Sequence, residues 1–481
     1  MTSPALRHAN ARHPVRLVLG VGALLLGALV VGPVLAVQPL LALAVPALAV
    51  GAIASFRFPA ASVFALFVLT GSYGTVDAFT SFPVGEFVDV ILASLWLGAV
   101  WHLLTHPRER PVRLLPGVVA VAVYLFITVV GILTADTLTI GLHSFRASAW
   151  YVMAFLLVAY GPWSPEQRRR INQGLLVVIA AVSGYAVLRL VIGPAGPERD
   201  LAEVSTYTNF IDVQDDDIGL VGSLTSRHEL SAWLAVAIPF ALALSLSLRR
   251  WWRVLAVLAT ATCTVALLGT EVRIALVASV AAILVILALQ LSARGFGGSQ
   301  LGIAATALVA LVVGGALAFS VVVGESGRGV NRYAAVFSPS EDVAYQQRLD
   351  KWRVAVRDTN RHPFGHGAGT AGRVQQQYGR FVNIGTFDVD SSYLKIAYEQ
   401  GWVVMGLFCV AMILLLVGLA RGAALIGVRE RAGPAIGATG ALVALLVLFG
   451  GGVYIEGLPA LTGWLIVGAG LGQVAWPDDG G

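Results

Sequence analysis

The stretch from Pro116 to Ala135 decides the fold class, and it reads PGVVAVAVYLFITVVGILTA. These 20 residues include no charged side chain. A helix of this length covers about 30 Å, which is the thickness of the hydrocarbon core of a bilayer. Because lipid offers the backbone no hydrogen bonds, such a segment must satisfy its own polar groups as a helix. We therefore predict a membrane-spanning helix here.

The composition shows that this stretch is typical of the whole chain. Of the 481 residues, 57% are hydrophobic and 12% are charged, and the mean hydropathy is +0.80. Soluble domains carry about 25% charged residues. The composition therefore excludes a soluble enzyme or a secreted domain. The net charge of +5 comes from basic residues in loops between apolar runs, so we expect no nucleic-acid binding.

Apolar windows long enough to cross a bilayer recur along the sequence. They lie at about 17–37, 39–56, 58–76, 87–104, 116–135, 146–162, 171–193, 229–248, 254–270, 273–291, 300–323, 392–418, 436–454 and 457–475. We predict an all-α, polytopic transmembrane bundle of about 14 helices, with a range of 12–14. The first window follows several arginines and is predicted to remain as a signal anchor.

The charges between the windows predict the orientation. With both termini cytoplasmic, the short loops that carry arginine all fall on the inner side, as the positive-inside rule requires. These arginines are Arg57, Arg108, Arg110, Arg113, Arg168, Arg169, Arg170, Arg249, Arg250, Arg253, Arg294, Arg421, Arg429 and Arg431. Long loops escape the rule, and the two longest are predicted to lie outside the cell.

The predicted outer loop at 324–390 is unusually basic and separates two groups of windows. We divide the chain into transmembrane helices at 1–193, transmembrane helices with outer-face arginines at 194–323, the large loop at 324–390 and C-terminal transmembrane helices at 391–481. Within the loop, Val343 to Asn360 has the pattern of an amphipathic helix that ends before Pro363. A membrane-proximal loop dense in arginine suits a ligand that bears phosphates.

Several motifs follow one another in a fixed order. They are Gln347-Arg348-Leu349-Asp350-Lys351-Trp352, Pro363-Phe364-Gly365-His366-Gly367, Asp390-Ser391-Ser392-Tyr393-Leu394 and Glu399-Gln400-Gly401. This order resembles the bacterial O-antigen ligase and polysaccharide polymerase family, where R-x-x-x-W and P-[LF]-G-x-G precede D-N-x-Y-L or H-N-x-x-L and then E-x-G. Upstream, Gly222-Ser223-Leu224, Leu230–Leu234 and Glu271–Ala275 stand where the family has further motifs. The resemblance covers about 220–405.

The resemblance implies a glycosyltransferase at the outer face of the bacterial plasma membrane. It would move a glycan from a polyprenyl-pyrophosphate carrier to a hydroxyl of a glycan or lipid acceptor, without a metal or other cofactor. Such a reaction needs fixed cations for the departing diphosphate and a base for the acceptor proton. Polymerase and ligase differ only in the acceptor, and both remain open.

Three residues are predicted to be catalytic. Arg273 and Arg348 would hold the diphosphate, and Asp390 would act as the general base. Each has an alternative. Arg273 can be a hairpin residue neutralised by a neighbouring glutamate, Arg348 can lie on a solvated helix face, and Asp390 can cap the helix that follows it.

Further residues are predicted to bind substrate: Arg227, His228, Trp352, Tyr393 and Lys395. Arg227 and His228 stand at a predicted helix start, and a helix start favours the binding of anions. The aromatic residues fit sugar rings but are also common at a membrane interface. Lys395 is expected to extend its ammonium group outward. No metal site is predicted, and we take the D-x-D pattern at 388–390 as a chance occurrence.

Two other classes of function are compatible with the sequence. A flippase for lipid-linked sugars would carry inverted repeats with broken helices, and the sequence has no such repeat. A peptidoglycan-type polymerase would share the topology and an outer-loop aspartate. The combination of the Arg-Trp and Pro-x-Gly-x-Gly motifs favours the ligase and polymerase family.

Overall fold

A computed structural model describes residues 41–80, 82–105, 114–161, 163–209, 220–294, 343–372, 374, 389–426 and 429–476. Within these ranges every regular element is a helix, which confirms the predicted all-α class. The predicted windows at 17–37 and 300–323 lie outside the described residues. The total of about 14 spans therefore stays a prediction, and so does the signal anchor.

The described helices are numbered in chain order. They are α1 (Leu41–Arg57), α2 (Pro59–Thr80), α3 (Val84–Thr105), α4 (Pro116–Gly131), α5 (Leu138–Tyr160, with a π-helical turn), α6 (Pro165–Ile192), α7 (Gly196–Asn209), α8 (Arg227–Ser247), α9 (Arg250–Gly269), α10 (Arg273–Arg294), α11 (Val343–Arg361), α12 (Ser392–Gln400), α13 (Trp402–Leu425), α14 (Arg429–Gly451) and α15 (Leu458–Ala475). Eleven of the described helical segments are long and apolar enough to cross a membrane. The chain is thus a multi-pass membrane protein.

The core of the bundle is formed by α8, α14 and α15, whose apolar windows are almost entirely buried. Helix α14 packs against both α8 and α10. Gly437 lies against the backbone of Phe240, and Gly440 lies against Pro239 and Ile286. Small residues let helix backbones approach closely in lipid, where packing drives association. These glycines therefore set how closely the central helices approach one another.

One predicted span is wrong in its bounds. The window at 392–418 is two helices, because α12 ends at Gln400 and α13 begins at Trp402. The residue between them, Gly401, has a φ of 89°, and its Cα lies against the backbone of Phe364. A side chain would be strained at this φ, so glycine makes the break possible. The span therefore starts about ten residues later than predicted, at Trp402.

Several of the predicted site residues lie at one end of the bundle, which we call the site end. Here α8, α10, α13 and α15 begin and α9 and α14 end. Helix α11 packs on α12, and α12 packs on α13 and α14. The start of α12 is hydrogen-bonded to the end of α14, since the Ser392 backbone N–H and hydroxyl both donate to the Gly452 carbonyl, at 3.0 and 2.9 Å. The loop helix is thereby joined to the membrane helices.

Candidate functional site

Asp390 lies at the junction between the large loop and α12. The N-cap of α12 is Ser391, whose hydroxyl donates to the Phe449 carbonyl at 3.1 Å. Asp390 therefore does not occupy the capping position that was its alternative role. Its carboxylate instead meets side chains of α11. The base predicted from sequence thus stands beside the predicted phosphate ligand.

Three residues of α11 contact Asp390. Arg348 Nε lies 3.5 Å and Lys351 Nζ lies 3.9 Å from Asp390 Oδ2. The indole N–H of Trp352 donates to the Asp390 carbonyl at 3.1 Å. Residues three and four apart share one face of a helix, so Arg348, Lys351 and Trp352 necessarily point the same way. The Arg-x-x-x-Trp motif is therefore a single binding face for this aspartate.

The charge contacts of Asp390 are loose. Charge-assisted hydrogen bonds of arginine are typically 2.7–2.9 Å long, whereas these contacts are 3.5 and 3.9 Å. The side chains of Arg348 and Asp390 are 34% and 30% exposed. A pair this exposed is worth about 1 kcal/mol or less. Both cations can therefore leave the carboxylate for a more highly charged ligand.

Arg273 lies at the same end of the bundle. It is the first residue of α10 and follows a tight turn in which Glu271 has a φ of 57°. The adjacent Ile274 packs against Gly451 at the end of α14. Ser391 donates to Phe449 in the last turn of α14, and Ser392 donates to Gly452, the residue after α14. Arg273 and Asp390 are therefore attached to one helix end.

Arg227 and His228 open α8 at the site end, behind the N-cap Ser226. The preceding loop is fixed because the Ser223 hydroxyl donates to the Gly71 carbonyl and the Thr75 N–H donates to the Ser223 carbonyl at 3.1 Å. The predicted helix start is confirmed, and both side chains are half-buried. Like Asp390, these two residues lie at the site end.

Tyr393 and Lys395 lie inside the bundle. The Tyr393 hydroxyl donates to the Leu446 carbonyl at 2.8 Å, and its ring packs on Phe408 and Phe449. Lys395 is 2% exposed, so the prediction that its ammonium extends outward is wrong. The physical reason is a pair of buried carboxylates that bind it within the protein. Both side chains are therefore bound to other groups within the protein.

Lys395 is the centre of a buried charge cluster at the site end. Its Nζ lies 2.6 Å from Glu399 Oε2 and 3.1 Å from Glu456 Oε1. Burial lowers the pKa of Lys395, but the carboxylates of Glu399 and Glu456 outweigh burial and raise it above its ordinary value. Burial raises the pKa of Glu399, and Lys395 opposes that shift. The cluster connects α12 to the loop after α14.

Glu399 also binds the glycine-rich loop that follows α11. Its Oε1 accepts the backbone N–H groups of Gly369 at 3.1 Å and Ala371 at 3.2 Å, and its carbonyl accepts the N–H of Gly367 at 3.0 Å. The Pro-x-Gly-x-Gly and Glu-x-Gly motifs are thus halves of one structure. Sequence analysis gave Glu399 no role, although a lysine four residues before a glutamate in an apolar segment was the available signal.

One group of side chains has the chemistry of a metal site. The donor atoms of Asp358, His362 and His366 lie within 4.8 Å of one another. Among the described residues, these three side chains are the group with the spacing of metal ligands, and the sequence analysis did not predict it. The D-x-D pattern at 388–390 also has metal-type side chains, but its first aspartate, Asp388, lies outside the described residues.

Comparison with known families gives one finding. A family model described as O-antigen ligase matches residues 258–409. The matched segment contains Arg273, Arg348 and Asp390 and extends from α9 into α13. No curated protein matches the chain. The resemblance inferred from the motifs is therefore confirmed for this segment, and the multi-pass chain carries a region that is similar to O-antigen ligases.

Proposed function

We propose that this protein transfers or polymerises a glycan from a polyprenyl-diphosphate carrier onto an acceptor hydroxyl, at the outer face of a bacterial plasma membrane. The observation that carries the proposal is the position of Asp390 within 4 Å of Arg348 and Lys351 at the site end. A base and two cations adjacent to the membrane are the groups that this reaction needs.

The proposed step is an inverting displacement. The acceptor oxygen forms a bond to the anomeric carbon, and the bond between that carbon and the diphosphate oxygen breaks. The acceptor proton passes to the Asp390 carboxylate, and the electron pair leaves with the carrier diphosphate. Arg348 and Lys351 move from Asp390 to the diphosphate, and their long contacts with the carboxylate favour this movement. The transfer of these cations exposes the carboxylate to the acceptor.

Other charges at the site end support an anionic donor. Arg273 and Arg227 stand at the starts of α10 and α8. Helix starts carry partial positive charge and unpaired backbone N–H groups, which favour phosphate. The guanidinium groups supply the charge that a divalent cation provides in other transferases, so we propose that the transfer needs no metal at the diphosphate. The polyprenyl tail would lie between helices in the bilayer.

The test uses the full chain in lipid nanodiscs with a polyprenyl-diphosphate oligosaccharide. One set of reactions contains a lipid acceptor and another contains only further donor, and both are run with and without EDTA. The readouts are release of carrier diphosphate and formation of the new glycosidic bond. The first set reports ligation, whereas the second reports polymerisation.

Matched variants assign the roles. We expect Asp390→Asn to lower kcat by at least about 100-fold, since a general base contributes about 10²- to 10⁴-fold. Arg348→Gln and Arg273→Gln should each lower kcat/KM by about 100-fold. The controls are Asp350→Asn and Arg353→Gln on the exposed side of α11, where the two residues pair with each other at 2.8 Å. These controls should retain activity.

Three results would contradict the proposal or a part of it. Asp390→Asn with activity within threefold of the native chain would remove the base from the mechanism. Movement of the lipid-linked sugar across the membrane without a new bond would instead establish a flippase. A requirement for added Mg²⁺ in the transfer would show that the arginines do not neutralise the diphosphate by themselves.

A further inference from the structure

The end of α11 carries a second cluster of ligand-type side chains that the proposed transfer does not use. Asp358 and His362 are four residues apart, and the His362 backbone N–H still bonds the Asp358 carbonyl at 3.1 Å. Residues at this spacing lie on one helix face. The chain then reverses at Gly365, whose φ is 88° and whose N–H donates to the His362 carbonyl at 2.8 Å. The reversal returns His366 to the same face.

The spacing of two donor atoms fits one metal ion. His366 Nε2 lies 3.4 Å from Asp358 Oδ2. Zinc binds nitrogen at about 2.0–2.1 Å and carboxylate oxygen at about 2.0–2.2 Å, so two ligands at the tetrahedral angle are about 3.3–3.5 Å apart. The donor atoms of all three residues lie within 4.8 Å of one another. His362 is exposed, so its ring can rotate the remaining distance without disturbing the core.

The structure also orients the imidazole of His366 for binding. Its Nδ1 lies 3.1 Å from the Tyr398 carbonyl, which can only accept a hydrogen bond, so the ring proton stands on Nδ1. In the neutral ring, Nε2 then has the lone pair and faces Asp358. The ring stacks on Tyr398, with centroids 4.1 Å apart and planes at 13°. An imidazole fixed through its second nitrogen by a backbone carbonyl is the usual arrangement of a metal-binding histidine.

We infer that Asp358, His362 and His366 form a binding site for a divalent transition-metal ion of the zinc class, with water completing the coordination. Two imidazoles and one carboxylate suit zinc and its neighbours better than magnesium or calcium, which prefer oxygen ligands. The side chains of His366 and Asp358 are 19% and 36% exposed, which leaves an open position for water.

The ion would fasten the loop and would not take part in the transfer. Asp358 is ten residues beyond Arg348 on α11, which is about 15 Å along the helix. Asp358 faces His366, and the Nδ1 of His366 contacts the Tyr398 carbonyl of α12. The ion therefore joins the end of α11 to α12. It positions the helix that carries Arg348 and Trp352 and lies too far from them to contact the diphosphate.

The test measures metal binding and needs no glycan. The full chain is purified in detergent with an affinity tag that contains no histidine, stripped with EDTA and titrated with Zn²⁺ by calorimetry. Co²⁺ absorption then reports the coordination geometry. We expect one Zn²⁺ that depends on the cluster, with His362→Gln and Asp358→Asn each weakening that binding by at least about 100-fold. The exposed position of His362 means that its variant should fold normally.

Two further variants complete the design. His143→Gln removes a histidine of α5 outside the cluster and should leave the Zn²⁺ affinity unchanged. Tyr398→Phe keeps the backbone carbonyl but removes a hydroxyl that interacts with Asp358, and we expect about a tenfold loss. Equal Zn²⁺ binding by the native chain and His362→Gln would overturn the inference, and so would the absence of binding to the native chain. Either result leaves the proposed transfer reaction untouched.

Discussion

Replacement of Lys395 by methionine is the most direct test of what holds the site end together. Methionine has nearly the same volume, so the change removes the charge and leaves the packing. At an effective dielectric constant of about 20, contacts of 2.6 and 3.1 Å correspond to roughly 6 and 5 kcal/mol of attraction. Desolvation of the ions offsets a large part of this energy. We expect a net loss of about 3–5 kcal/mol, because two carboxylates remain buried without their cation.

The assay is reversible unfolding in mixed micelles, followed by tryptophan fluorescence. The chain supplies a matched control, because Lys351 is its other lysine and is 43% exposed. Lys351→Met should change the free energy of unfolding by less than about 0.5 kcal/mol. In the double variant Lys395→Met/Glu399→Gln, the loss should be smaller than the sum of the single losses by at least about 1 kcal/mol. Glutamine can still accept the loop N–H groups.

A stable Lys395→Met protein would refute this reasoning. If the free energy of unfolding fell by less than about 1 kcal/mol, the cluster would contribute little beyond shape. Strict additivity in the double variant would mean that Lys395 and Glu399 do not interact. In both cases the loop bonded to Glu399 would have to be held by its backbone contacts alone.

Three further predictions concern the same region. Gly365→Ala should lower the free energy of unfolding by about 1–3 kcal/mol in a thermal unfolding assay, since φ is 88° and a Cβ would overlap a carbonyl oxygen of α12. The control is Gly196→Ala, where a Cβ meets open space and the free energy of unfolding should not fall. Trp352→Phe removes the donor to the Asp390 carbonyl and should lower kcat about tenfold with little change in stability, and an unchanged kcat would contradict this positioning role. Burial lowers the pKa of Lys395, but its two carboxylates raise it by more. The stability that the ion pairs of Lys395 contribute should therefore be complete at neutral pH and be lost only above about pH 10.4. If this contribution to the free energy of unfolding were lost below pH 9, folding would lower the pKa of Lys395, contrary to this prediction.

The motifs of the loop could be read from the sequence because each is local. The amphipathic helix predicted at Val343 to Asn360 is observed at Val343–Arg361 and ends before Pro363, as expected. Helical periodicity and a proline depend on neighbouring residues alone. The same locality explains why Arg348 and Trp352, four residues apart, share one face of the helix. Their meeting with Asp390, 42 residues from Arg348, could only be inferred through the family resemblance.

The burial of Lys395 could not be predicted from its neighbours in the sequence. A lysine near a helix start at a membrane surface usually extends toward water. Here Glu399 lies one turn away, but Glu456 arrives from the loop after α14, 61 residues along the chain. The sequence contains both carboxylates and no sign that they converge. The break at Gly401 was missed for a similar reason, because it depends on the approach of the Phe364 backbone.

Composition and hydrophobic periodicity by themselves determined that this chain is an all-helical membrane protein. The exclusion of long apolar segments from water, and their need to form helices in lipid, do not depend on their neighbours in the fold. Tertiary structure alone decided which polar groups meet at the site end. The contacts of Asp390 with Arg348 and Lys351, and of Lys395 with Glu456, depend on helix ends that pack together from distant parts of the chain. Charge interactions act over a few ångströms, and only the packed bundle fixes those distances.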